Sequence, residues 1–212
     1  MKHKMFFALG CCALLAGPLA APPAVADDPT PDALAAARHV AVTTCANCHG
    51  QQGRSINPKF PRLAGQHASY LAAQLRVFKA QGRGDPDAIA YMWGMSAPLS
   101  DELIDGLAAY YGGQKPARGI PSGAAVLANG RSIYEEGVAS EGIPACASCH
   151  GPGAEGTDDF PRLAGQSAQY LLKQLASFQS NMRNVAVMHG VASGLKAQEM
   201  NAVAAYLQSI GT

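Results

Sequence analysis

The sequence predicts an all-α chain built as two tandem modules, and three observations predict it. The pentapeptide Cys45-Ala46-Asn47-Cys48-His49 returns as Cys146-Ala147-Ser148-Cys149-His150. Each copy is followed at similar distance by the heptapeptide Phe-Pro-Arg-Leu-Ala-Gly-Gln, at Phe60–Gln66 and again at Phe160–Gln166. Between these markers the apolar residues recur at helical spacing, with no strand-like alternation.

The repeat fixes the order of parts. A shift of 101 residues superposes the pentapeptides, and a shift of 100 superposes the heptapeptides with Tyr70 on Tyr170, Gln74 on Gln174 and Phe78 on Phe178. A shift of 96 superposes Met92 on Met188, Leu99 on Leu195 and Tyr110 on Tyr206. Each module therefore reads helix, pentapeptide, loop, helix, methionine loop, helix. The largest insertion expected is four residues around Gly82–Asp87 in the first module.

Taken in order, the first helix opens at Thr30 with Pro31 in its first turn, where a missing N–H costs nothing. Its counterpart spans roughly Gly123 to Glu136 and stops near Gly137. The second helix carries Tyr70, Leu71, Leu75 and Phe78 on one face. The third starts at Ser100, an N-cap followed by Asp101 and Glu102, and buries Leu103, Ile104, Leu107 and Tyr110 or Tyr111. Helix breakers from Gly113 to Ser122 mark a linker. The expected division is a leader at 1–26, a first domain at 27–112, a linker at 113–122 and a second domain at 123–212.

C-x-x-C-H is the attachment signal for c-type haem. Two thiols on one helical turn reach two vinyl groups on one porphyrin edge, and the adjacent histidine becomes an axial iron ligand. Cys45, Cys48, Cys146 and Cys149 are thus the expected attachment points, with His49 and His150 as ligands. A shared zinc site fits less well, because pairs so far apart, each with its own downstream copy, are two sites. A thioredoxin-like dithiol needs a βαβ setting that the pattern lacks.

A six-coordinate haem needs a second ligand, methionine or another histidine. Met1 and Met5 lie in the leader. Of the rest, Met92 and Met188 each stand seven residues before the leucine that opens the last helix. Met95 falls opposite Val191, Met182 has no counterpart, and Met200 falls inside a helix, where methionine is core filling. Met92 and Met188 are the expected ligands, with His189 the rival in the second module. The counterpart of His189 is Trp93, which cannot ligate iron. His39 and His67 have no histidine counterparts and read as surface or structural.

The heptapeptide suggests support for the ligands. A ligating histidine donates its other ring N–H to a carbonyl or carboxylate, and the carbonyl of Pro61 or Pro161 is a candidate acceptor. Leu63 and Leu163 are candidates for the haem face. Arg62 and Arg162 either pair with propionates or stand as solvated charges. Tyr70 and Tyr170 either bond propionates or pack.

Lys2 and Lys4, an apolar stretch from Met5 to Ala21, and Ala24-Val25-Ala26 read as a cleaved secretory leader; a lipoprotein cut before Cys11 is the weaker reading. Without Lys2 and Lys4 the chain holds 14 basic and 15 acidic residues. Four ionised propionates bring the net charge to about −5. That balance argues against a nucleic-acid partner. Residues 27–118 carry nine basic and eight acidic groups, residues 119–212 five and seven, a mild dipole able to orient docking to a redox protein.

On both pentapeptides, both heptapeptides with the following Tyr-Leu-x-x-Gln-Leu, and both methionine segments, the chain resembles the cytochrome c4 family. The resemblance implies two class I cytochrome c folds related by approximate two-fold symmetry, with two covalently bound haem c groups. It implies the axial pairs His49 with Met92 and His150 with Met188. It also implies a periplasmic electron carrier, at most peripherally bound to a membrane, passing electrons from a cytochrome bc1-type donor to a terminal oxidase. The alternative is the cytochrome subunit of a dehydrogenase, such as a flavoprotein sulfide dehydrogenase. An enzyme, a dihaem peroxidase or thiosulfate oxidiser, needs an open iron site that two matched methionines would close. Intact-mass spectrometry of the exported protein should find a polypeptide beginning at Asp27 with two haems attached.

Overall fold

A computed structural model describes residues 29–157 and 160–211. The expected leader at 1–26 lies outside them. In the first module, α1 (Pro31–Val40) starts where the sequence puts it: Thr30 Oγ1 accepts from the Ala33 N–H at 3.2 Å, with Pro31 in the first turn. The helix does not stop at Val40. It widens into a π-helical turn at Ala41–Cys45 and runs on into Ala46–His49, so the first pentapeptide closes one continuous helical run. After the heptapeptide come α2 (Ala68–Lys79) and α3 (Asp101–Gly112), the latter capped by Ser100 Oγ accepting from the Leu103 N–H at 3.2 Å. Leu71, Phe78, Ile104, Leu107 and Tyr111 are buried, as the helical periodicity requires.

The second module repeats the plan with α4 (Ala124–Glu136), α5 (Ala168–Gln179), α6 (Ala186–Gly194) and α7 (Ala197–Ser209). Each module closes on its own core: Ala37, Ala41, Leu71 and Ile104 in the first, and Tyr134, Leu171, Leu195 and Leu207 in the second. Among the described residues the only β-type pairing is a single bridge, Val138 to Ile143. The fold is all-α.

First and last helices of each module cross at close range, and a glycine makes the crossing possible. In the first, Gly106 of α3 faces the Ala33 carbonyl and Ala37 of α1. In the second the roles are exchanged: Gly130 of α4 lies against Ala202 of α7, and a Cβ there would stand 2.1 Å from the Ala202 carbonyl oxygen. Gly106 and Ala202 are 96 residues apart, like the two methionines, so Ala37 and Gly130 are equivalent positions.

That register corrects one expectation. Eight residues separate Ala37 from Cys45, but sixteen separate Gly130 from Cys146. The largest insertion is therefore in the second module, before its pentapeptide. It leaves α4 at Gly137, whose φ of +80° suits glycine, and returns through the Val138–Ile143 bridge with Ile143 buried. The first helices share no marker residues, so the shift read from the pentapeptides hid it.

A second correction concerns the methionine loops, which are helical. Met92 ends a π-helical segment, Ala88–Met92, that passes into Trp93–Ser96, and Met188 lies in the first turn of α6. Gly94 and Gly190 both sit inside helical turns. The insertion in the first module is absorbed here, between Arg83 and Met92, partly by the wider π turn.

Gly130→Ala should destabilise the haem-loaded protein by about 1–3 kcal/mol, more than the ~1 kcal/mol a helical alanine gains over glycine. Urea unfolding followed by far-ultraviolet dichroism reads it.

Candidate functional site

Both pentapeptides present the same geometry. The two cysteines are three residues apart on a helical turn, the first half-buried and the second exposed, and none of the four is in a disulfide. Burial pushes the Cys146 thiol up to about 11 and raises Cys45 as well. A redox-active dithiol needs the opposite shift. Among the described residues no group of three or more His, Cys, Asp or Glu side chains is placed to share a metal ion.

The imidazoles are buried and fixed. His49 Nδ1 donates to the Pro61 carbonyl at 2.9 Å and His150 Nδ1 to the Pro161 carbonyl at 3.0 Å. A carbonyl can only accept, so each Nδ1 carries the proton and each Nε2 keeps its lone pair. Burial holds both rings below the ordinary histidine range, which favours the neutral, ligating form. Phe60 and Phe160 stand edge-on to these rings at 6.1 and 6.0 Å between centroids. Backbone bonds clamp the heptapeptides to the loops beyond the pentapeptides, Leu63 N–H to the Gly53 carbonyl at 2.8 Å and Leu163 N–H to the Ala154 carbonyl at 2.9 Å. The leucines pack on the module cores.

Met200 packs into the second core, while Met95 and Met182 are about half exposed. Met92 and Met188 are half-buried and belong to neither core. His189 Nδ1 donates to the Phe178 carbonyl at 2.8 Å. Its counterpart Trp93 likewise donates Nε1 to a carbonyl, that of Arg83, at 2.9 Å. The two rings share a structural task. His67 Nε2 bonds the Glu155 carbonyl across the modules at 2.9 Å, and His39 is exposed.

Arg62 is half-buried. Its guanidinium donates to the carbonyls of Ser55 and Arg118 at 3.3 Å and to that of Gly165. Arg162 Nε is buried and unpartnered among the described residues. Tyr70 accepts a hydrogen bond from Arg183 at 2.7 Å.

The last heptapeptide residue had no assigned role, and it joins the modules. Gln66 accepts from the Arg162 N–H at 2.8 Å and donates to its carbonyl at 2.9 Å. Gln166 does the same to Arg62, both at 2.9 Å. This reciprocity is the approximate two-fold relation between the modules. Gln74, Gln174, Arg83 and Arg183 form a second buried polar set across the same interface. Their recurrence at a shift of 100 was the available signal.

Two thiols on one turn, a buried neutral imidazole with its Nε2 free, and flanking apolar side chains fit a covalently attached haem. The arrangement, present twice, defines a dihaem c-type cytochrome. The family model described as Cytochrome c matches residues 34–111 and 127–211. Cytochrome c4 of Stutzerimonas stutzeri is 38% identical over 180 residues, 80% of this chain and 85% of that one. The thiosulfate dehydrogenase electron acceptor of Thiomonas intermedia is 40% identical over 173 residues, 77% of each. The solved cytochrome c4 of Acidithiobacillus ferrooxidans superposes with a TM-score of 0.75 at 40% identity, over 78% of this chain and 98% of that one. The chain belongs to the cytochrome c4 family of cytochromes c. It carries two covalently bound haem c groups and is an electron carrier.

Gln66→Ala leaves the Arg162 N–H and carbonyl without partners in a buried setting, a cost of about 1–3 kcal/mol. Denaturant unfolding should show that loss for Gln66→Ala and for Gln166→Ala alike.

Proposed function

We propose that Cys45 and Cys48 hold one haem and Cys146 and Cys149 the other, with His49 and Met92, and His150 and Met188, as the axial pairs. The observation that carries this reading is the pair of Nδ1–carbonyl bonds, to Pro61 and Pro161, which aim each Nε2 for ligation. The two haem domains are residues 27–112 and 123–212, joined by 113–122. The haems supply a ferric–ferrous couple that accepts and releases one electron each. The protein's part is to keep both coordination positions filled, hold the imidazole proton at Nδ1, and set burial and charge around each centre.

The carrier works by outer-sphere transfer in the periplasm, taking electrons from a respiratory donor such as a bc1-type complex and delivering them to a terminal oxidase. Among the described residues no helix is long and apolar enough to cross a membrane, which fits at most peripheral attachment. A relative named as a thiosulfate dehydrogenase electron acceptor supports a second reading of the donor: a thiosulfate-oxidising dehydrogenase. On that reading the chain remains the acceptor and the enzyme is its partner.

Redox titration of the holoprotein should resolve two one-electron steps. Met92→Ala and Met188→Ala should each remove the methionine–ferric charge-transfer band at one haem. His189→Phe should leave both bands, and loss of a band there would return His189 to the coordination sphere.

A further inference from the structure

The residue after each methionine is tied down in both modules, Trp93 to the Arg83 carbonyl and His189 to that of Phe178. The residue before the methionine is not treated alike. In the first module it is Tyr91, and its ring meets Phe60 edge-on, with 5.5 Å between centroids and 76° between planes. Phe60 is the ring that also stands edge-on to His49. The neighbour of Phe60, Lys59, reaches the same tyrosine: its Nζ donates to the Tyr91 hydroxyl at 2.6 Å and lies 4.6 Å from the centre of the ring. That ammonium also stands 4.0 Å from Asp87, the residue at which the Ala88–Met92 segment begins.

The segment that bears Met92 is therefore held, at both of its ends, by the two residues directly before Pro61, whose carbonyl fixes His49. In the second module Phe160 meets His150 as Phe60 meets His49, but the residue before Met188 is Val187, 56% exposed. A valine offers neither a ring nor a hydroxyl to any neighbour, so this clasp is built once. Of its two contacts the ring pair counts for more, because an ammonium exposed to solvent gains little from a hydrogen bond.

We infer that Tyr91 is a positioning residue for Met92: seated on Phe60, it ties the methionine segment of the first module to the support of His49 and keeps that ligand from leaving the iron. The inference rests on Met92 as the axial ligand. External imidazole can enter a ferric centre only when the methionine has left, so its apparent affinity reports the fraction of molecules with that ligand off.

The test is a visible titration of the oxidised holoprotein with imidazole, followed at both haems. Tyr91→Val should raise the affinity of one haem by about two- to tenfold, the worth of one aromatic pair, and leave the other in place. Tyr91→Phe keeps the ring and should stay near the parent, and Val187→Ala should move neither haem. Unchanged binding in Tyr91→Val with both haems attached overturns the inference, as does an equal gain at both haems, which marks general loosening. So does a gain in Tyr91→Phe as large as that in Tyr91→Val. Met92→Ala reads the ligand assignment by itself. A charge-transfer band kept at both haems in that variant removes Met92 from the iron and the inference with it, whereas a band lost at one haem, beside unchanged binding in Tyr91→Val, overturns the inference alone.

Discussion

The bond from the histidine Nδ1 to a proline carbonyl is the constraint on which the rest of the structure depends. A ligating imidazole must be neutral, must carry its proton on the nitrogen away from iron, and must not rotate. Pro61 and Pro161 satisfy all three at once, since a carbonyl accepts only from a protonated nitrogen and proline restricts its own backbone. The heptapeptide is the device that delivers that carbonyl. Its phenylalanine braces the ring, its leucine anchors in the core, and its glutamine reaches the other module.

The two modules are thereby coupled through the elements that fix the two imidazoles. Gln66 and Gln166 bind the backbone of Arg162 and Arg62, the residues directly after Pro161 and Pro61. A displacement at the interface is felt at the carbonyl that orients each imidazole. At the interface the symmetry is broken by the insertion after Arg83, which brings two carboxylates. Asp85 is buried against Arg83, and Asp87 bonds Lys173 of the second module at 2.6 Å. The second pair is about one-third exposed and contributes little to stability, ~0–1 kcal/mol. Neither carboxylate has a counterpart between Arg183 and Met188.

Much of this was legible in the chain. The pentapeptides, the caps at Thr30 and Ser100, the apolar faces of the helices and the proline carbonyls follow from local chemistry and spacing. What escaped depends on contacts between distant residues. The exchange of glycine between facing helices at Gly106 and Gly130 hid an eight-residue difference, because a crossing constrains a pair of positions and not either one alone. The helical state of the Met92 and Met188 segments escaped because they are short and one of them is a π-helical turn, which has no marked sequence period. The three carbonyls that accept from Arg62 could not be read from the chain, because backbone acceptors leave no trace in sequence.

The central claim is two six-coordinate centres, each closed by one histidine and one methionine. Proton magnetic resonance of the fully reduced holoprotein tests it most directly, because the haem ring current moves the methyl group of an axial methionine far upfield. Two such methyl signals, each of three protons, are predicted; a spectrum with one or none would contradict the account.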